Sequence, residues 1–122
     1  MCSISVSDDL APRYLEILNS DANIFALSLH DAFQSESIMQ RYIFRFKIYK
    51  NQAQIFESLF VQSDLPVVEN AAKYLDFRSQ LKKHIILIEK VLSYKHFSKN
   101  AVEEIYQSAD QLDDYYYALT GK

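Results

Sequence analysis

The sequence predicts a single all-α domain, an antiparallel bundle of about four helices, two of them long, at about 37–62 and 65–95. Three observations carry that reading. The chain has one glycine, Gly121, and two prolines, Pro12 and Pro66. A sheet protein of this length needs many tight turns, and tight turns usually need glycine at positive φ. Apolar residues recur at steps of three and four, the helical period. Helix start and stop signals fall between those runs. With 122 residues, 49% of them hydrophobic and 24% charged, residues 1–122 read as one domain with enough apolar mass for its own core.

The first helix is marked by Asp9 as N-cap and Pro12 in its first turn, where the missing N–H costs nothing. Leu10, Tyr14, Ile17 and Leu18 fall on one side of it. The run Asn19-Ser20-Asp21 reads as a break or kink before a second stretch with Ile24, Phe25, Leu27, Leu29, Ala32 and Phe33. A continuous helix is the alternative, because Ser and Asp prefer caps without forbidding interior positions.

Ser37, with Gln40 three residues on, forms a capping-box signature for the next helix. There Met39, Tyr42, Phe46, Tyr49, Ala53, Phe56 and Phe60 step without a miss over three heptads. Ile43, Ile55 and Leu59 widen this stripe towards a bundle core. Gln62-Ser63-Asp64 and Pro66 end one long helix and begin the other. The third is stepped by Ala71, Tyr74, Arg78, Leu81, Ile85, Ile88 and Leu92, with Arg78 standing inside its seam. Ser98 or Asn100 caps the last helix, whose seam is Val102, Ile105, Ala109, Leu112, Tyr116 and Leu119, with Gly121 at the C-cap position. Long hairpins of this kind often complete their core with a second copy, so a homodimer is the expected assembly.

Charge comes in blocks that the net value of −3 hides. Residues 1–38 carry six acids against one base, and 39–50 carry four bases alone. Three acids occupy 51–69, seven bases face two acids in 70–99, and five acids face one base in 100–122. Alternating blocks suit helices, or subunits, lying side by side. The lone cysteine, Cys2, excludes an internal disulfide framework and a cysteine-based zinc site. No apolar leader or bilayer-length run is visible, and the cytoplasm is the expected compartment.

Catalytic and metal chemistry find little support in the pattern, and no cofactor is expected. None of His30, His84 and His96 has an acid or a second histidine three or four residues away, the spacing that helical metal sites use. A phosphotransfer histidine needs an accessible flank, whereas Ile85-Ile86-Leu87 follow His84 and Asp31-Ala32-Phe33 follow His30. The segment Arg78-Ser79-Gln80-Leu81-Lys82-Lys83-His84 resembles the HEPN family of helical ribonucleases, which form four-helix bundles and cleave RNA across a dimer. That resemblance covers two residues and implies His84 as general acid or base and Arg78 as phosphate clamp. A spacing of six sets the two side chains about 120° apart on an ideal helix.

Two surface groups remain. Residues 41–50 interleave bases with aromatics, but on a helix Tyr42, Phe46 and Tyr49 belong to the seam. Arg41 and Arg45 are left as a basic face, too small for phosphate binding in a chain with pI near 5.5. Acids of the last helix, Glu103, Glu104 and Asp110, are the expected intrachain counterpart. The second group is Asp110, Asp113, Asp114, Tyr115 and Tyr117, a contact patch for a basic partner. Nine Tyr and eight Phe with no Trp add to this, since such rings are favoured at interfaces. The leading functional expectation is a non-enzymatic protein that binds and modulates a protein partner, as an adaptor, chaperone, antitoxin, immunity or counter-defence factor. The HEPN-like ribonuclease and a helical nucleic-acid binder are the alternatives.

Overall fold

The computed structural model describes the backbone of residues 2–62, 71–94 and 98–120, and the side chains of 13–58, 73–93 and 98–119. Four helices account for the described backbone almost entirely: α1 Cys2–Ala32, α2 Glu36–Gln62, α3 Ala71–Tyr94 and α4 Lys99–Thr120. The all-α bundle expected from the glycine count is the fold. The Pro66 boundary, Phe60, Leu59, His96 and the Gly121 cap lie outside the residues described at side-chain level.

The longest helix is α1, with 31 residues in one piece. The expected break at Asn19-Ser20-Asp21 does not occur. Leu18, Ala22, Phe25 and Leu29 keep one buried stripe running across it, and packing of that stripe outweighs the few tenths of a kcal/mol that Ser or Asp costs mid-helix. Nor does Asp9 open the helix, which begins at Cys2 and takes Asp9 and Pro12 into its interior. A capping preference marks where a helix can start and does not require it to.

At the other end, Phe33 N donates to His30 O and Gln34 N to Asp31 O, tightening the last turn of α1. The chain reverses at once, so α2 must start at Glu36. Its cap is Ser35, whose Oγ accepts from Ile38 N at 3.2 Å, and not Ser37, which lies inside the first turn. Ser98 caps α4, with Oγ accepting from Ala101 N at 3.4 Å and its carbonyl from Val102 N at 3.0 Å.

The helices run up, down, up and down, each packed on its chain neighbours, with α4 closing back on α1. Tyr42 Oη donates to Phe25 O and Tyr49 Oη to Leu18 O, at 2.7 and 2.8 Å, which sets the antiparallel register of α1 and α2. Burial raises the pKa of both phenols, and at Tyr49 the nearby Asp21 carboxylate adds to the rise. Phe25 stands edge-on to Tyr42, Phe46 and Tyr49 at 5.2–5.7 Å between centroids. Tyr49→Phe keeps the ring and removes one buried donor bond. It is expected to lower stability by about 1 kcal/mol in urea titration, with the helix signal unchanged.

The seam of α3 is turned from the expected one. Phe77, Leu81, His84, Ile88 and Val91 are its buried line, while Arg78 and Ile85 sit at its edge, half-buried. Arg78 reaches Glu57 of α2. The periodicity misled because His84 and Gln80 are polar by type yet buried by pairing: Gln80 Nε2 donates to Ser108 Oγ at 2.9 Å and to Ser108 O at 3.3 Å. The seam expected for α4 is observed, with Val102, Ile105, Ala109 and Leu112 buried and Tyr116 and Leu119 packed beside them.

Candidate functional site

His84 is fully buried, 0% exposed, at the point where α1, α3 and α4 meet. Its Nε2 lies 3.3 Å from Ala22 O and its Nδ1 3.0 Å from Ser108 Oγ. A carbonyl only accepts, so Nε2 carries the proton. Ser108 Oγ already accepts from Gln80, so its own hydroxyl donates to Nδ1. Every member of this network is satisfied with the imidazole neutral. Burial accordingly pulls the His84 pKa down to about 4, and the bond to Ala22 O offsets that only in part.

Arg78 faces another side of the bundle. It and Lys82 both grip the Glu57 carboxylate, Lys82 at 3.2 Å, and the bond from Arg78 does most to hold that carboxyl below its usual range. Lys50 of α2 pairs with Glu89 of α3 further along. These ion pairs span a cleft of about 210 Å³ where α2 and α3 are least closely packed, floored by Ala53, Phe56 and Leu81. The Arg78 guanidinium is therefore occupied on the α2 side, while His84 is sealed in the core. The two do not form one site.

A larger groove, about 600 Å³, runs along the outer side of the α1–α2 hairpin. One wall is α1, with Asp21, Ile24, Ser28 and Asp31; the other is α2, with Ile38, Arg41, Arg45, Ile48 and Gln52. Ile24 is 51% exposed and Ile48 44%. Arg41 and Arg45 form no salt bridge among the described residues, although Arg45 draws down the pKa of the half-buried Asp21, which burial raises by more. Gln52 Oε1 is buried there without a hydrogen-bond partner. The acids of α4 are not the counterpart of Arg41 and Arg45, because α4 is diagonal to α2 across the bundle and the neighbouring acids come from α1.

The acidic and tyrosine-rich end of α4 is divided. Asp113 is half-buried and accepts from Asn19 Nδ2 of α1 at 2.8 Å. Tyr115 packs against the core, whereas Asp110, Asp114 and Tyr117 are exposed. Tyr116 and Tyr117 meet edge-on at 5.6 Å. This surface lies away from the α1–α2 groove, so the two groups of expected contact residues do not combine.

The α1 wall escaped the sequence reading. A signal for it existed: Ile17, Asp21, Ile24, Ser28 and Asp31 step by four and three, as do Ile38, Arg41, Arg45, Ile48, Gln52 and Ile55 by three and four. These are second stripes beside the core stripes. Isoleucines counted towards a widened core, Ile17, Ile24 and Ile55, belong to this outer face. Among the described residues no helix is long and apolar enough to cross a membrane. No family model, curated protein or solved structure matches the chain.

Proposed function

We propose that this is a non-enzymatic interaction protein, which binds and modulates a protein partner by occupying its surface through the outer face of the α1–α2 hairpin. One observation carries the reading. Five large hydrophobic residues exposed among those described, Ile17, Ile24, Ile38, Ile48 and Ile55, continue the two outer stripes of that hairpin, and Ile24, Ile38 and Ile48 line its groove. A scattered isoleucine needs no explanation, but apolar side chains repeated at helical spacing along a groove are what an interface looks like before its partner arrives. Arg41 and Arg45 supply charged contacts at its wall. Adaptor, chaperone, antitoxin, immunity and counter-defence roles all work through such a surface. A cytoplasmic, cofactor-free setting belongs to the same proposal.

A photo-crosslinking residue at Ile48, compared with one at Leu75 on α3, tests this in source cells. The expected result is a discrete protein adduct from position 48 that survives nuclease and is lost at least about tenfold when Arg41 and Arg45 are both changed to Ala. Adducts that disappear with nuclease, or that form equally from position 75, overturn it.

A further inference from the structure

We propose that the occupant of the α1–α2 groove is a second copy of this chain, packed so that α1 of each protomer lies along α2 of the other about a two-fold axis parallel to the helices. This inference rests on the reading above that the α1–α2 groove is a protein interface, and it names what fills that groove.

A two-fold interface presents the same patch from both sides, so the patch must be complementary to itself. This one is. Its acids, Asp21 and Asp31, stand on the α1 wall, and its bases, Arg41 and Arg45, on the α2 wall. A foreign partner of one charge sign meets one wall favourably and the other unfavourably. A second copy turned about an axis along the helices meets both favourably.

Register supports the same axis. Tyr42 over Phe25 and Tyr49 over Leu18 place Asp21 and Arg45 at one height along the hairpin. Rotation about an axis parallel to the helices preserves height, so each Asp21 arrives opposite the other copy's Arg45. An axis across the helices would instead stack α1 on α1 and α2 on α2, setting like charges together.

On α2 the steps from Ile38 through Arg41, Arg45, Ile48 and Gln52 to Ile55 alternate three and four, so isoleucines and charged groups share one continuous face of the helix. Covering the groove also removes Ile24 and Ile48, 51% and 44% exposed, from water. The α2–α3 cleft has no comparable claim, since Glu57 and Glu89 already take up its Arg78, Lys82 and Lys50.

Sedimentation velocity on the full chain tests the dimer with two variants, R41E/R45E and D21K/D31K. Wild type is expected at twice the chain mass. Each variant alone is expected to be monomeric, its dissociation constant raised at least about tenfold. An equal mixture of the two should recover a heterodimer, because one then presents two acidic walls and the other two basic ones. Circular dichroism checks that each variant remains helical. Ile48→Lys, at an exposed position, must also give a monomer should either charge variant fail to fold. A monomeric wild type overturns the proposal, as does a dimer unmoved by all three variants. If wild type is monomeric while position 48 still crosslinks a different protein, only the self-pairing falls. If that position also crosslinks nothing, the interaction reading falls with it.

Discussion

Replacing Phe77 with alanine is expected to lower stability by about 3–5 kcal/mol, the largest effect of any single substitution considered for this bundle. Phe77 is 0% exposed on α3, and its ring meets Phe56 of α2 at 5.9 Å, edge to face. That pair lies on the side where α2 and α3 pack least and ion pairs do much of the bridging. Exposed or half-exposed ion pairs contribute little in water, so the buried Phe56–Phe77 contact matters more across that seam than they do. Truncation removes the buried ring and leaves a void that helices pinned by α1 and α4 can only partly close. Urea titration measures the loss. Phe44→Ala, at a position 65% exposed, should change stability by less than about 0.5 kcal/mol. Equal losses at the two positions would show that Phe77 is not in the core.

Acid should weaken the fold as pH falls below the ordinary histidine range, because His84 resists protonation in the folded state. His84 has a folded pKa of about 4 against an ordinary value of 6.5. Between those values the unfolded chain binds a proton that the folded chain refuses. Unfolding free energy therefore falls as pH drops through this window, by up to about 3 kcal/mol at its lower end. The physical event is the charging of a fully buried imidazole whose partners are Ala22 O and Ser108 Oγ. Glu57, with its lowered pKa, begins to lose its stabilising contribution only as pH falls through the ordinary carboxylate value, and the loss completes below its own folded value. Asp21, raised by burial, acts in the opposite sense, favouring the fold as it takes up its proton. Urea midpoints between pH 7.5 and 4.5 should slope downwards in the wild type. The slope should flatten in His84→Gln, which starts from a lower stability because it disturbs the network. An unchanged slope in that variant would sink the assignment to His84.

The same residue shows where sequence reasoning stopped. The stripe from Met39 to Phe56 was legible because it is purely apolar, and its inner positions are buried as the heptads require. On α3 the buried line passes through His84 beside Gln80, and a pattern search treats both as surface residues. The seam was therefore centred about one residue away, on Arg78 and Ile85, which border the α2–α3 cleft. Arg78 and His84 looked like a pair because they share a helix and a family-like spacing. Packing places one beside Glu57 and the other in the core. Arg41 and Arg45 were legible as a basic face, because the aromatics between them are needed for the core. Their acidic counterpart on α1 was not, since Asp21 and Asp31 are brought beside them by a hairpin, and linear spacing carries no record of that.

The class of fold, the basic face of α2 and most of the inward residues of α2 and α4 follow from the sequence alone. Those properties follow from local propensity and period, which act within a few residues. The tertiary structure alone decided that α1 runs unbroken past Ser20, that α4 neighbours α1, and that His84 is neutral and enclosed. It also decided that an acidic and a basic wall share one groove. Each of these depends on which faces meet across the bundle. That choice is set by apolar area removed from water and polar groups satisfied between helices, and those quantities exist only once the helices have packed.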